Sequence, residues 1–147
     1  MGKELDWGIL ARSVGPRARL VRNALAARSI AVSAPHGLPT GSLTVLALIA
    51  ANPGSSQTAL AKRAGINKSA LVGLVDRLEA RGLAARDRST SDRRRNQITV
   101  TPEGEAAMQE LFVAVAAEEG PIRDALGSAD LEVLLALLDR AIVALED

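Results

Sequence analysis

At 147 residues, with 48% hydrophobic and 24% charged side chains, the chain has the size and balance of one globular domain. It holds no cysteine and a single histidine, which excludes disulfides, thiolate metal sites and multi-histidine metal centres, and no run of about 18 apolar residues could span a bilayer. The formal net charge of +1 is strongly partitioned: residues 1–61 carry +4, residues 62–95 carry +6 and residues 101–147 carry −9, a separation that turns one surface toward anions.

With one Phe, one Trp and no Tyr, the core must come from Leu, Val, Ile and Ala, a mixture that suits closely packed helices. No signal-peptide pattern opens the chain, so the expected location is cytoplasmic. Leu5 to Ala31 reads as a helix with Leu5, Ile9, Leu20, Val21, Ala24 and Leu25 apolar, kinked or split at Gly15-Pro16. "SAPHGLP" (Ser33 to Pro39) is a loop by its Pro and Gly content. Thr40 is expected to cap a second helix through about Ala51, ended by Asn52-Pro53-Gly54. Ser55 or Ser56 caps a short third helix, Gln57 to Ala64, stopped by Gly65.

Asn67 then caps a helix running to Arg81, with Gly82 as its stop, and Leu71, Leu74, Val75 and Leu78 fall on one stripe. Two helices joined so tightly make a helix-turn-helix. After Gly82 the period changes: Leu83 to Arg88 predicts a strand, and Gln97 to Thr101 alternates with Ile98 and Val100 inward. Between them, Ser89 to Asn96 is a charged loop too long for a two-residue hairpin turn. Thr101-Pro102-Glu103 starts another helix, carrying Ala107, Met108, Leu111, Phe112 and Val115 and interrupted at Gly120-Pro121. Ser128 is expected to cap the last helix, "LEVLLALLDRAIVAL", which is apolar over much more than one stripe and therefore needs two burial partners, its own chain and a second subunit. The expected fold class is mainly α with a small β-wing, a winged helix-turn-helix flanked by N- and C-terminal dimerisation helices. The expected domains are a dimerisation helix region over 1–36, a DNA-binding module over 37–101 and dimerisation helices over 102–147.

Three runs, "LPTGSLTVLALI", "SQTALAKRAGINKSALVGLVDRLEARGLAAR" and "DRRRNQITVTPEGEA", carry a resemblance from Leu38 to about Leu111. There the chain resembles the MarR family of winged-helix transcription regulators, most specifically through "LVDRLEARGL" followed by Asp-x-Arg-Arg and "VTPEG". The resemblance implies a two-fold dimer, a recognition helix in the major groove, a wing reaching the minor groove and an effector pocket between the two modules. It also implies that Asp92 holds Arg94 while Arg93 and Arg95 meet phosphate.

Independently of the family, three adjacent arginines at a wing tip suit closely spaced phosphates and a narrow, negative groove, and a carboxylate beside them can fix the direction of one; the bland reading is a solvated loop. On the recognition helix, Ser69 can bond bases and Val72 can touch a thymine methyl, with Lys68 and Arg77 on the flanks. Ala70, Val72 and Gly73 stand near positions where many relatives carry hydroxyl or longer polar groups, which shifts target choice toward DNA shape, half-site spacing and the wing. Ser56, Gln57, Asn67 and Lys68 stand at helix N-termini, where phosphate contact competes with simple capping. Trp7, Leu131, Leu134, Leu135, Leu138 and Ile142 are the expected dimer interface. His36 is the one candidate for an effector pocket, although a surface-loop histidine is the commoner case.

No paired carboxylates, nucleophile–base pair or phosphate loop supports catalysis, and no metal or cofactor is expected. The expected function is sequence-specific binding of double-stranded DNA by a homodimeric transcription regulator, a repressor released by a small organic effector, with no membrane partner. The alternative is a winged-helix module whose wing meets an acidic protein instead of DNA.

Overall fold

The computed structural model describes residues 5–87 and 97–146. Helices α1 (Val14–Ser33), α2 (Ser42–Ala51), α3 (Gln57–Ala64) and α4 (Lys68–Ala80) precede two antiparallel strands, β1 (Ala84–Asp87) and β2 (Gln97–Val100). Helices α5 (Pro102–Glu118) and α6 (Gly120–Ala144) follow. The mainly helical class with a small two-stranded wing is as the sequence indicates.

The helix-turn-helix is built from matched local signals. Ser56 Oγ accepts the Ala59 N–H at 3.1 Å and Asn67 Oδ1 accepts the Ala70 N–H at 2.7 Å, so each helix starts on a side-chain cap. Both helices also end alike. Gly65 and Gly82 adopt φ +71°, and the following residues turn back, Ile66 N–H to the Ala61 carbonyl at 3.1 Å and Leu83 N–H to the Leu78 carbonyl at 2.9 Å. The second return places Leu83 on the core and aims the chain into β1, where Ala84 pairs with Val100 and Arg86 with Ile98.

One core joins these pieces. Val45, Leu46 and Ile49 of α2, Leu60 of α3, Leu71, Val75 and Leu78 of α4, Ile98 of β2 and Leu111 of α5 are all buried in it. Thr101 ties the sheet to α5 with one hydroxyl, donating to the Gly82 carbonyl at 2.6 Å and accepting the Gly104 N–H at 3.0 Å. Gly104 is required there, because a Cβ at that position would overlap the Leu83 carbonyl.

Several expectations are corrected. Trp7 does not lie in a helix running from Leu5: it precedes a short 3-10 turn (Gly8–Leu10), and α1 begins only at Val14. Gly15-Pro16 therefore opens the helix instead of kinking it, because in the first turn the missing proline N–H has no partner to lose. Thr40 is not the cap of α2; that position is Gly41, and the neighbouring Ser42 hydroxyl is buried and donates to the Pro39 carbonyl at 2.6 Å. Gly120-Pro121 does not interrupt a helix but opens α6 directly after Glu119, and the sharper break is Gly127 (φ 71°, ψ 171°), immediately before Ser128.

Candidate nucleic-acid interface

Packing of the α4 stripe leaves the opposite face to solvent. Ser69, Gly73, Asp76 and Ala80 are exposed, with exposed Lys68 and Arg77 and half-buried Val72 beside them. At the N-terminal end of α3, the other helix end expected to meet DNA, Ser56 is exposed and Gln57 half-buried. Two of the residues expected to meet DNA already serve as caps: the Ser56 hydroxyl and the Asn67 amide oxygen each hold a backbone N–H. Side-chain contact to phosphate at these positions would use their remaining polar atoms, alongside the backbone N–H groups of the first turns. Asp92, Arg93, Arg94 and Arg95 lie outside the described residues.

An aspartate on a surface expected to face phosphate needs an explanation, and Arg86 supplies it. Its side chain is only 12% exposed; Nη1 donates to Asp76 Oδ1 at 2.5 Å and lies 3.6 Å from Glu79 Oε1, while its backbone N–H donates to Glu79 Oε2 at 3.1 Å. The guanidinium therefore offsets an anion that would otherwise repel phosphate, and it fastens β1 to α4. Sequence reasoning passed over Arg86 and Glu79. The available signal was two carboxylates three residues apart on α4 and one arginine in the facing strand.

Beside α4, the segment Leu38, Pro39 and Thr40 forms an open cleft of about 590 Å³ with Ala70, Gly73, Leu74 and Arg77. His36 does not line it. Its Nδ1 stands 3.8 Å from Glu110 Oε2 on α5, and its carbonyl accepts a hydrogen bond from Arg81 at 3.4 Å.

The residues expected at a dimer interface sit on surfaces that this chain leaves uncovered. No residue of α6 is buried; Leu134, Leu135, Leu138 and Ile142 are exposed and Leu131 is half-buried. Ile9 is fully exposed, and Trp7 is shielded on one face by Arg17, whose guanidinium carbon lies 4.7 Å from the ring centre. Of the α1 arginines, Arg28 pairs with Glu118 of α5 at 3.3 Å. A second cleft of about 560 Å³ runs between the start of α1 (Val14, Arg17, Val21) and Leu134 and Leu138 of α6. Among the described residues, no helix is long and apolar enough to cross a membrane.

Residues 36–95 match the model of the MarR family. Over nearly the whole chain the backbone also follows the transcriptional repressor CouR bound to a 23-mer DNA duplex, with 32% identity, TM-score 0.79 and coverage of 95% of this chain and 99% of that one. The chain belongs to the MarR family. Further MarR-type relatives include CouR from Rhodococcus jostii RHA1 bound to p-coumaroyl-CoA, at 28% identity, TM-score 0.78 and coverage of 90% of this chain and 94% of that one. A putative transcriptional regulatory protein for the hcr operon of Thauera aromatica is 36% identical over 109 residues, which span 74% of this chain and 66% of that relative. Family membership gives the chain a regulatory class.

Proposed function

We propose that the protein is a homodimeric repressor that binds double-stranded DNA, inserting α4 of each subunit into successive major grooves. The observation that carries this reading is the exposed α4 face itself, polar and cationic at Lys68, Ser69 and Arg77, with its one carboxylate offset by Arg86. The similarity to a repressor solved on a DNA duplex, covering 99% of that chain, supports it. Lys68 and Arg77 reach phosphates, Ser69 and Val72 meet base edges, and Arg93, Arg94 and Arg95 of the wing add phosphate and minor-groove contacts, with Asp92 orienting one of them.

The partner is a second copy of this chain. The uncovered faces of α6 and of the N-terminal segment supply the apolar area, and a two-fold axis would repeat each contact. Two α4 helices held about one DNA turn, roughly 34 Å, apart would then read a palindrome.

Release is assigned to a small organic anion with an apolar body. The cleft between Leu38–Thr40 and α4 offers leucine side chains beside a hydroxyl and the Arg77 guanidinium. An occupant there would draw Arg77 away from DNA and favour one placement of α4 over the other. That a relative binds p-coumaroyl-CoA agrees with this chemical class.

The test is selection of duplexes from a random pool by the purified protein, followed by salt titration of the recovered sequence. A palindrome bound with affinity falling steeply in salt is the expected result; no duplex retained at low ionic strength would overturn the reading.

A further inference from the structure

The structure assigns Arg81 as a positioning residue, a strut between the recognition helix and the arm helices that sets the separation of the two reading surfaces; this rests on the DNA-binding dimer proposed above. Arg81 is the C-cap of α4 (φ −88°, ψ 0°). Its side chain leaves the helix end and reaches back across the fold, where Nη1 donates to the Gly37 carbonyl at 2.9 Å and Nη2 to the His36 carbonyl at 3.4 Å. Those carbonyls lie just past the end of α1: a 3-10 turn (Ala34–His36) continues from Ser33, and Gly37 closes it at φ 63°, ψ 24°. On its other side this turn is met by α5, through His36 and Glu110. A planar guanidinium that engages two successive carbonyls fixes both distance and direction, which an ammonium group cannot do.

The placement matters because the main packing partners of α4 lie within residues 37–101, while the Arg81 fork reaches the turn at the end of α1. Helix α4 packs on α3, α2 and β1. Among the described residues, the hydrogen bonds from α4 and its cap to the segment from α1 to Gly37 are those of Arg81. The pair of Lys62 on α3 with Glu146, at 3.5 Å, is exposed and adds little. Burial of α2 against α5 keeps the module attached, while the fork of Arg81 fixes the far end of the helix that enters the groove. The turn it grips runs directly into Leu38, Pro39 and Thr40, one wall of the cleft beside α4. An occupant of that cleft would displace the acceptors of Arg81 and so act on the separation of the two recognition helices.

The experiment uses the full chain and the palindrome recovered by selection. Affinities of wild type, Arg81→Ala and Arg81→Lys are measured on that duplex and on versions with the half-sites moved by one and two base pairs, each across a range of salt. Arg81→Ala is expected to bind the preferred spacing about tenfold more weakly. It should also lose most of the preference for that spacing, with an unchanged salt slope, and Arg81→Lys should recover part of both. Equal weakening at every spacing, with a slope reduced by about 0.9, would make Arg81 a phosphate contact and overturn the strut. Undiminished spacing preference in Arg81→Ala would overturn it as well. Should Arg81→Ala not fold, Arg81→Lys carries the same readouts, because it keeps the charge and the stem but loses the fork. Failure of the wild type to bind any duplex is a different result, since it removes the DNA-binding reading itself.

Discussion

The stretch from Leu38 to Leu111 and the two arms, α1 and α6, use similar side chains in opposite ways. In the first, leucines and valines from four helices and a strand close on one another, and Leu46, Leu71 and Leu78 are wholly buried. In the arms the same residue types face outward: Leu135 is 54% exposed, and Ser33 is the one buried residue of α1. A reading module that must keep its shape on and off DNA carries its own core. Arms that lack one depend on another chain, so their order is tied to protein concentration.

That contrast can be broken most directly in α6. Replacing both Leu135 and Leu138 by Asp should cost at least about 3 kcal/mol of association, given about 1.5–3 kcal/mol for each leucine buried. Sedimentation should then report the mass of a single chain while helical circular dichroism from the module persists; an intact dimer would move the interface elsewhere. A comparable insult to the module, Leu78→Ala, should cost about 3 kcal/mol of unfolding free energy through the cavity it leaves. Denaturant titration would show this as a loss that added protein does not restore. If the loss vanished at high concentration, the claim of a self-contained core would fail.

The wing gives the next effect in size. Alanine at Arg93, Arg94 and Arg95 together should lower DNA affinity by about a hundredfold and flatten the salt slope by about 0.9 for each phosphate no longer neutralised, with dimer mass unchanged. A preserved slope would remove the wing from the interface. The smallest change is Asn67→Ala, which removes the cap of α4 and should cost about 1 kcal/mol, read as a small shift in thermal midpoint. A cost much above that would mean that the Asn67 side chain holds more than the Ala70 N–H.

Much of the module was legible because its signals are local. Ser56, Gly65, Asn67, Gly82 and Pro102 act within one helical turn of where they stand, and the change from helical to alternating period after Gly82 marks the wing. Thr40 was misleading for the same reason: a hydroxyl before an apolar run satisfies the local rule, but burial of the Ser42 hydroxyl against Pro39 and the left-handed Gly41 moved the start of α2 by one residue. The pairing of Asp76 with Arg86 was not legible, because the partner lies ten residues away on a strand.

By itself, then, the order of residues determined where helices begin and stop, which stripe of α4 turns inward, and where positive charge gathers, because each depends on atoms a few residues apart. Only the folded chain decided that Arg86 pairs with Asp76 of α4 and that Arg81 grips the turn at the end of α1. Those outcomes rest on groups 10 to 45 positions apart meeting in space, and no local period encodes such a meeting.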